Sequence, residues 1–273
     1  MRPLFPLLLA LPIALGACSR REERRPTELQ SAPALTPESP STVGAGAAAA
    51  GAPAAVVELF TSEGCSSCPA ADENLARIAA AARKHETRVF ALSFHVDYWN
   101  YIGWADPFSD ASYSERQRSY ARRLGSGVYT PQMVVNGSDQ MLGSSEGDAD
   151  AAIERALAAP MSHALKVSAR NGRSYEVTVT GPATDVVVQL AVVQGARDVR
   201  VTRGENRGRT LSHANVVRAL VGERTSVPAT IVLEPQLPRT VDAQQSAAVV
   251  WVADAKSGRV LGAEATGILA RTD

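Results

Sequence analysis

The chain has 273 residues, 45% of them hydrophobic, a size for one or two globular domains. Its 28 basic and 28 acidic residues cancel to zero formal charge. That balance carries no basic footprint for nucleic acid and no field suited to a strongly acidic substrate.

The chain opens with Arg2, then an apolar run from Leu4 to Leu15 broken by Pro6 and Pro12. The run is too short to span a bilayer as a helix and reads as a targeting segment. It ends in Leu15-Gly16-Ala17-Cys18, which resembles the cleavage box of bacterial lipoproteins. On that reading residues 1–18 are a lipoprotein signal peptide and Cys18 carries the lipid. An ordinary secretory signal is the alternative, although Leu15 is large for the position before cleavage. Ser19, rather than Asp, follows the cysteine, which points to the outer membrane. Either way the mature protein works outside the cytoplasm; as a lipoprotein its expected location is the cell envelope, facing the periplasm. Residues 19–54 mix Ser, Pro, Ala, Glu, Arg and Gly without apolar periodicity, and read as a flexible linker.

Val56 to Phe60 reads as a short strand and Thr61 to Gly64 as a turn. From Ser66 the pattern is helical, with Ala70, Ala71, Leu75, Ile78, Ala79 and Ala82 on one face. Pro69 suits the first turn of that helix. Cys65 then sits at or just before a helix N-terminus, where a thiolate is favoured, and Cys68 about one turn further in. If Cys18 is lipidated, Cys65 and Cys68 are the remaining cysteines of the chain. They cycle as a redox dithiol, bind a metal, or staple a turn. In the redox reading Cys65, reachable by solvent, attacks, and Cys68, more covered, resolves. In the metal reading copper is the candidate, with Met133 or His95 beside the two sulfurs.

Arg88 to Val96 reads as a buried strand and residues 97–108 as a loop. The stretch 94–108 holds six of the chain's 14 aromatic residues. Tyr98, Trp99 and Trp104 are the candidates there for a substrate or partner surface; a hydrophobic plug between domains is the other reading. Ser109 to Leu124 reads as a polar helix capped by Ser109 or Asp110 and ended by Gly125. Gln132 to Val135, the Asn136-Gly137 turn and a second strand form a hairpin, and Asp148 to Ala159 a last helix. The order is βαβαββα. With Cys-x-x-Cys after the first strand, it resembles the thioredoxin fold. That resemblance implies a cis Thr130-Pro131 bond facing the sulfurs. It also raises Glu58 as a buried acid that moves protons for the inner cysteine; strand alternation equally allows an outward-facing, surface Glu58.

A narrower resemblance covers residues from Val56 into the C-terminal region. "VVELFTSEGCSSCPAAD", "ALSFHVDYWNYIGWADPF", "RQRSYARRLGSGVYTPQMVVNG" and "GENRGRTLSHANVVR" resemble the exported bacterial proteins catalogued as domain of unknown function 1223. The resemblance implies a thioredoxin-like fold and no known substrate.

Residues 161–273 carry short strand-like runs with turns at Asn171-Gly172, Gly181-Pro182 and Lys256-Ser257-Gly258. The expected architecture is an α/β thioredoxin-like domain with a mixed sheet over 55–160, followed by a C-terminal antiparallel β-rich domain over 161–273. The polar stretch 204–215, with Glu205, Asn206, Arg207, Arg209, His213 and Asn215, reads as a solvated turn or a functional loop. The expected activity is thiol–disulfide exchange on exported protein thiols or with a redox partner protein, with no cofactor. A copper carrier or a docking module is the alternative. The lipid anchor would hold the protein to the membrane.

Overall fold

The computed structural model describes residues 51–170, 174–241 and 246–267. The signal peptide, Cys18, most of the linker and the Asn171-Gly172 turn lie outside the described residues.

The first strand, β1 (Ala55–Thr61), is buried along its whole length. A turn holding both cysteines leads into helix α1 (Pro69–Lys84), with Pro69 in its first turn. Strand β2 (Val89–His95) returns parallel to β1, so that Leu59 pairs with Ser93. Helix α2 (Ala111–Leu124) is capped by Asp110, whose carboxylate accepts from the Ser112 N–H at 2.8 Å. It ends at Gly125 with φ 64°, a left-handed conformation that glycine adopts freely. Strands β3 (Gln132–Val135) and β4 (Asp139–Leu142) form the expected hairpin, and β3 lies antiparallel to β1. Helix α3 (Glu146–Ala158) follows. The βαβαββα order therefore holds element by element.

The remaining strands are β5 (Ala164–Arg170), β6 (Ser174–Thr180), β7 (Asp185–Gln194), β8 (Arg197–Arg200), β9 (Thr210–His213), β10 (Val216–Ser226), β11 (Ala229–Leu233), β12 (Ser246–Asp254) and β13 (Val260–Gly267). Their arrangement departs from a separate domain. One eight-stranded mixed sheet runs β13-β12-β7-β10-β2-β1-β3-β4, straight through the boundary expected at residue 160. The joint is β10 against β2, where Val216 meets Ser93 in parallel. The second half of β10 is largely exposed and charged, which hides the strand pattern in the sequence. A sandwich does form: β11, β6 and β5 make a three-stranded sheet. Tyr175, Val177 and Ile231 from it share a core with Val188, Leu190 and Val250 from the large sheet.

The two faces of β1 bury different things. Val57 and Leu59 pack with Leu75 and Ile78 of α1 and Ile153 of α3. Val56 and Phe60 point the other way, into a core shared with Tyr113 and Tyr120 of α2 and Trp251 of β12. Glu58 is on this second face and is fully buried. This corrects the surface reading. Its carboxylate accepts from Arg116 through both oxygens, one at 2.9 Å, and from the Tyr120 hydroxyl. The Arg116 guanidinium also lies 5.2 Å from the Trp251 ring. Burial opposes its charge, but Glu58 and Tyr120 outweigh that and hold it protonated.

Removing one partner of a buried ion pair costs about 3–5 kcal/mol, because the other charge is left uncompensated. Glu58→Gln is expected to lower the unfolding free energy by that order, read from the urea midpoint. An unchanged midpoint would show that Arg116 is neutralised elsewhere.

Candidate functional site

Cys65 and Cys68 form a disulfide, with their Cα atoms 5.4 Å apart. The turn is tight: the Cys65 N–H donates to the Ser62 carbonyl at 3.1 Å and the Cys68 N–H to the Cys65 carbonyl at 3.2 Å. Cys68 is the N-cap residue of α1, not a residue one turn inside it. The helix starts where Pro69 fixes φ and has no N–H to leave unpaired. Cys65 is only 1% exposed and Cys68 fully buried, so the expected solvent-reachable Cys65 is not found in the disulfide state. Ser66 and Ser67 between them are exposed.

Cys65 Sγ has two hydroxyl partners. Thr130 Oγ1 donates to it at 3.3 Å, and Ser67 Oγ lies at 3.3 Å. A disulfide sulfur has no proton, so Ser67 is the donor as well. The Thr130-Pro131 peptide is cis. Trp99 Nε1 donates to Thr130 Oγ1 at 2.7 Å and so fixes the hydroxyl that faces the sulfur. Gly143 sits behind Pro131. A Cβ there would come within 2.6 Å of Leu59 and 3.0 Å of Ala71, so only glycine lets β1, α1 and the proline close up.

The loop at 204–209 leaves the C-terminal half and closes over the cysteine turn. Asn206 is 1% exposed. Its Nδ2 donates to the carbonyls of Glu63 and Cys65, both at 2.9 Å. Glu205 accepts from the Ser66 N–H at 2.9 Å, a contact that holds its pKa below the ordinary value. The loop is thus part of the site rather than a solvated turn.

Beneath the turn lies a cluster of buried ionisable groups. His95 Nδ1 and Asp106 Oδ2 are 2.7 Å apart. Asp106 also accepts from the N–H groups of Glu63 and Phe108, both at 2.9 Å. Burial works against its charge, but His95 and those N–H groups hold its pKa below the usual range. Glu63 accepts from Trp104 Nε1 at 2.7 Å and lies 3.2 Å from His213 Nε2. The rings of His95 and His213 meet edge to face at 4.7 Å. Asp72, on the first turn of α1, completes the cluster with Oδ2 3.6 Å from His213 Nδ1. No donor reaches either oxygen of Asp72 in full hydrogen-bond geometry, although the Thr61 hydroxyl faces it. Burial raises its pKa from 3.8 to about 7; His213 and the Thr61 hydroxyl oppose this, and the nearby Asp106 and Glu63 add to it.

The structure therefore assembles Cys65, Cys68, Thr130, Pro131 and Trp99 directly, and Trp104 and His95 through Glu63 and Asp106. Tyr98 is engaged elsewhere, donating to Gln117 at 3.0 Å. Glu58 faces α2, away from the α1 face of the sheet. Met133 packs in the apolar cluster of α1 and α3. Among the described residues no three or more His, Cys, Asp or Glu side chains group as a metal site. Asp72, Glu63 and Asp106 escaped the sequence reading. Asp72 did carry a signal: it stands four residues after Cys68, on the buried face of the same helix.

A family model described as protein of unknown function (DUF1223) matches residues 56–253. The chain belongs to this family. The matched stretch begins in β1 and ends in β12, so the DUF1223 unit includes both the cysteine turn and the 204–213 segment that covers it. The crystal structure of an Agrobacterium tumefaciens protein is similar at 29% identity, over 78% of this chain and 93% of that one, with a TM-score of 0.60. HBP35 of Porphyromonas gingivalis is similar in fold at 14% identity, over 79% of this chain and 75% of that one, with a TM-score of 0.59. No curated protein matches the chain.

A carboxyl with a raised pKa makes folding less favourable as pH rises. Between 3.8 and about 7 the unfolded chain ionises Asp72 while the folded protein keeps it protonated. The folded form then holds the extra proton, and stability falls across that window. Asp72→Asn removes the effect. Its unfolding free energy relative to wild type is expected to grow between pH 4 and pH 7, by roughly 4 kcal/mol at most. Urea titrations at several pH values check it; parallel pH curves for the two proteins would contradict it.

Proposed function

We propose that this DUF1223 protein is an exported thiol–disulfide oxidoreductase on a thioredoxin-like fold, with Cys65 and Cys68 as its redox pair. The observation that carries the reading is the setting of Cys65. Its sulfur is paired to a cysteine at the N-cap of α1, lies against Thr130 and the cis Pro131, and has two hydroxyl donors. Hydroxyls and a helix N-terminus both stabilise a thiolate, and a stabilised thiolate is a good leaving group in exchange.

A client thiolate attacks Cys65 Sγ. The Cys65–Cys68 bond breaks, its electron pair stays on Cys68, and a mixed disulfide joins the client to Cys65. The reverse begins with the Cys68 thiolate attacking Cys65 and expels the client thiolate. The potential of the pair against its partners sets the net direction. The partner is an exported protein thiol or a redox protein. Trp99 and Trp104, half-buried beside the turn, and the exposed Tyr101 give that partner an aromatic rim. The N-terminal segment supports lipid attachment at Cys18 and an envelope location facing the periplasm, on the outer membrane. No described helix is long and apolar enough to cross a membrane.

Cys68→Ser is expected to accumulate disulfide-linked partners on a non-reducing gel, whereas Cys65→Ser accumulates few. A copper carrier behaves differently: either substitution abolishes Cu(I) binding and neither traps a partner. Stoichiometric copper in the reduced wild type, with no trapped partner from Cys68→Ser, would overturn the oxidoreductase reading.

A further inference from the structure

Resting on the dithiol reading, we propose that the loop beside the cysteine turn is a basic docking platform for a protein that carries acidic side chains next to its reacting thiol.

Charge is unevenly placed in this neutral chain. Residues 200–209 read RVTRGENRGR, in which four arginines against one glutamate leave three net positive charges. Arg200, Arg203, Arg207 and Arg209 are all exposed. Arg209 donates to Asn206 Oδ1 at 2.9 Å. Among the described residues none of the other three is paired with a carboxylate. Glu205, the one acid of the stretch, is held on the Ser66 N–H at 2.9 Å. The loop therefore meets a partner as a basic surface. The repulsion among its arginines works against the folded state, and an acidic partner relieves it.

The loop is built to hold these charges in place. The Val201 N–H donates to the Arg209 carbonyl at 2.9 Å, the Gly208 N–H to the Val201 carbonyl at 2.8 Å and the Arg207 N–H to the Gly204 carbonyl at 3.2 Å. Gly204 and Gly208 close the turn with φ 74° and 85°, which glycine adopts freely. A backbone fixed before binding loses less freedom on binding than a mobile one.

The platform adjoins the redox pair. Asn206 accepts from Arg209 through Oδ1 and donates through Nδ2 to the Cys65 carbonyl at 2.9 Å. One side-chain amide thus separates a guanidinium from the Cys65 backbone. A Cβ on Gly204 would stand 3.0 Å from the Ile102 side chain and 3.5 Å from that of Trp104, so the loop is continuous with the aromatic rim. Salt screens charges over about 10 Å at 0.1 M, so arginines this near act on any group that reaches Cys65. The N-terminal segment joins the fold at the opposite end of β1, where the Ala54 carbonyl accepts from Asn136 Nδ2 at 3.0 Å. The arginines are gathered at the cysteine end instead, which favours a thiol-bearing protein over a membrane surface as their partner.

The test uses two peptides with one cysteine each, flanked by Asp and Glu in one and by Lys and Arg in the other. The rate at which each opens the oxidised protein is measured at about 0.01 M salt, where screening extends over about 30 Å. Comparing wild type with variant cancels each peptide's own thiol acidity. The acidic-to-basic rate ratio is expected to fall by about tenfold or more in Arg203→Glu/Arg207→Glu, and the two proteins to converge at about 1 M salt. Circular dichroism establishes that the variant is folded. If it is not, Arg203→Gln/Arg207→Gln takes its place with a fall of about threefold, because it changes half the charge.

An unchanged ratio at low salt would overturn the proposal. So would a wild type that binds phosphatidylglycerol vesicles through these arginines while the ratio stays unchanged in the variant. The acidic peptide with serine in place of its cysteine reads docking without exchange, by fluorescence anisotropy. If neither cysteine peptide opens the disulfide, yet the serine peptide binds wild type and not the variant, the dithiol reading fails and the platform stands. If the serine peptide does not bind either, both fall.

Discussion

Burial of three carboxylates in one seam is the constraint on which the rest of this structure depends. Glu63, Asp72 and Asp106 lie together under the cysteine turn, each at most 5% exposed. An unpaired buried charge costs several kcal/mol, so the chain around the seam must bring donors to it. The aromatic loop is built for that. Trp104 inserts an apolar ring and offers its one N–H to Glu63. Trp99 does the same for Thr130. Asp106 bends the loop back, taking its own donors from His95, Glu63 and Phe108. Aromatic side chains with a polar edge suit a site that must be dry and yet supplied with hydrogen bonds.

The remaining donors come from far along the chain, and one joint delivers them. Asn215 adopts φ 50°, a left-handed turn that asparagine tolerates. Its backbone carbonyl accepts from the Ser93 N–H at 3.0 Å, and its side chain donates to the Ala91 carbonyl at 3.0 Å. That clasp fixes the start of β10 against β2 and, with it, His213 at the end of β9. Asn206 then reaches the carbonyls of the cysteine turn. The C-terminal half is thus not an appendage to the half that carries the cysteines: without it the two turn carbonyls lose their Asn206 partner and the acids lose an imidazole. On the other face of the sheet, Arg116 lies between Glu58 and Trp251, so the same two halves are also tied through a buried ion pair.

What the sequence made legible follows from the range of the interactions involved. Local signals were reliable. Pro69, Asp110, Gly125 and Asn136-Gly137 each mark an element end through backbone chemistry within a few residues, and each element ended where they stand. The cysteine pair and Pro131 were legible because the resemblance to a known order of strands supplied their relation. The acid cluster was not, because its members are 34 or more positions apart except where α1 or the turn joins them. Glu58 shows the limit most plainly. Alternation states that one side of β1 differs from the other, but not which side receives α1. Only the packing of α2 shows that Glu58 answers Arg116 rather than a cysteine. β10 is hard to read for a related reason: its exposed second half reads as polar, although its first residues make the joint between the two halves.

The motif Cys-Ser-Ser-Cys is symmetric in composition, yet the fold makes its two sulfurs unlike. Cys65 is met by hydroxyls from Thr130 and Ser67, which stabilise a negative sulfur without supplying a full charge. Cys68, at the N-cap, stands one helical turn from Asp72 and the imidazole behind it. The Thr130 hydroxyl is held in place by Trp99, so it acts as a fixed dipole on any charge that comes to the Cys65 sulfur. The segment 204–213 lies over the same turn because buried carbonyls and carboxylates need partners there: Asn206 donates to the carbonyls of Glu63 and Cys65, and His213 faces the Glu63 carboxylate.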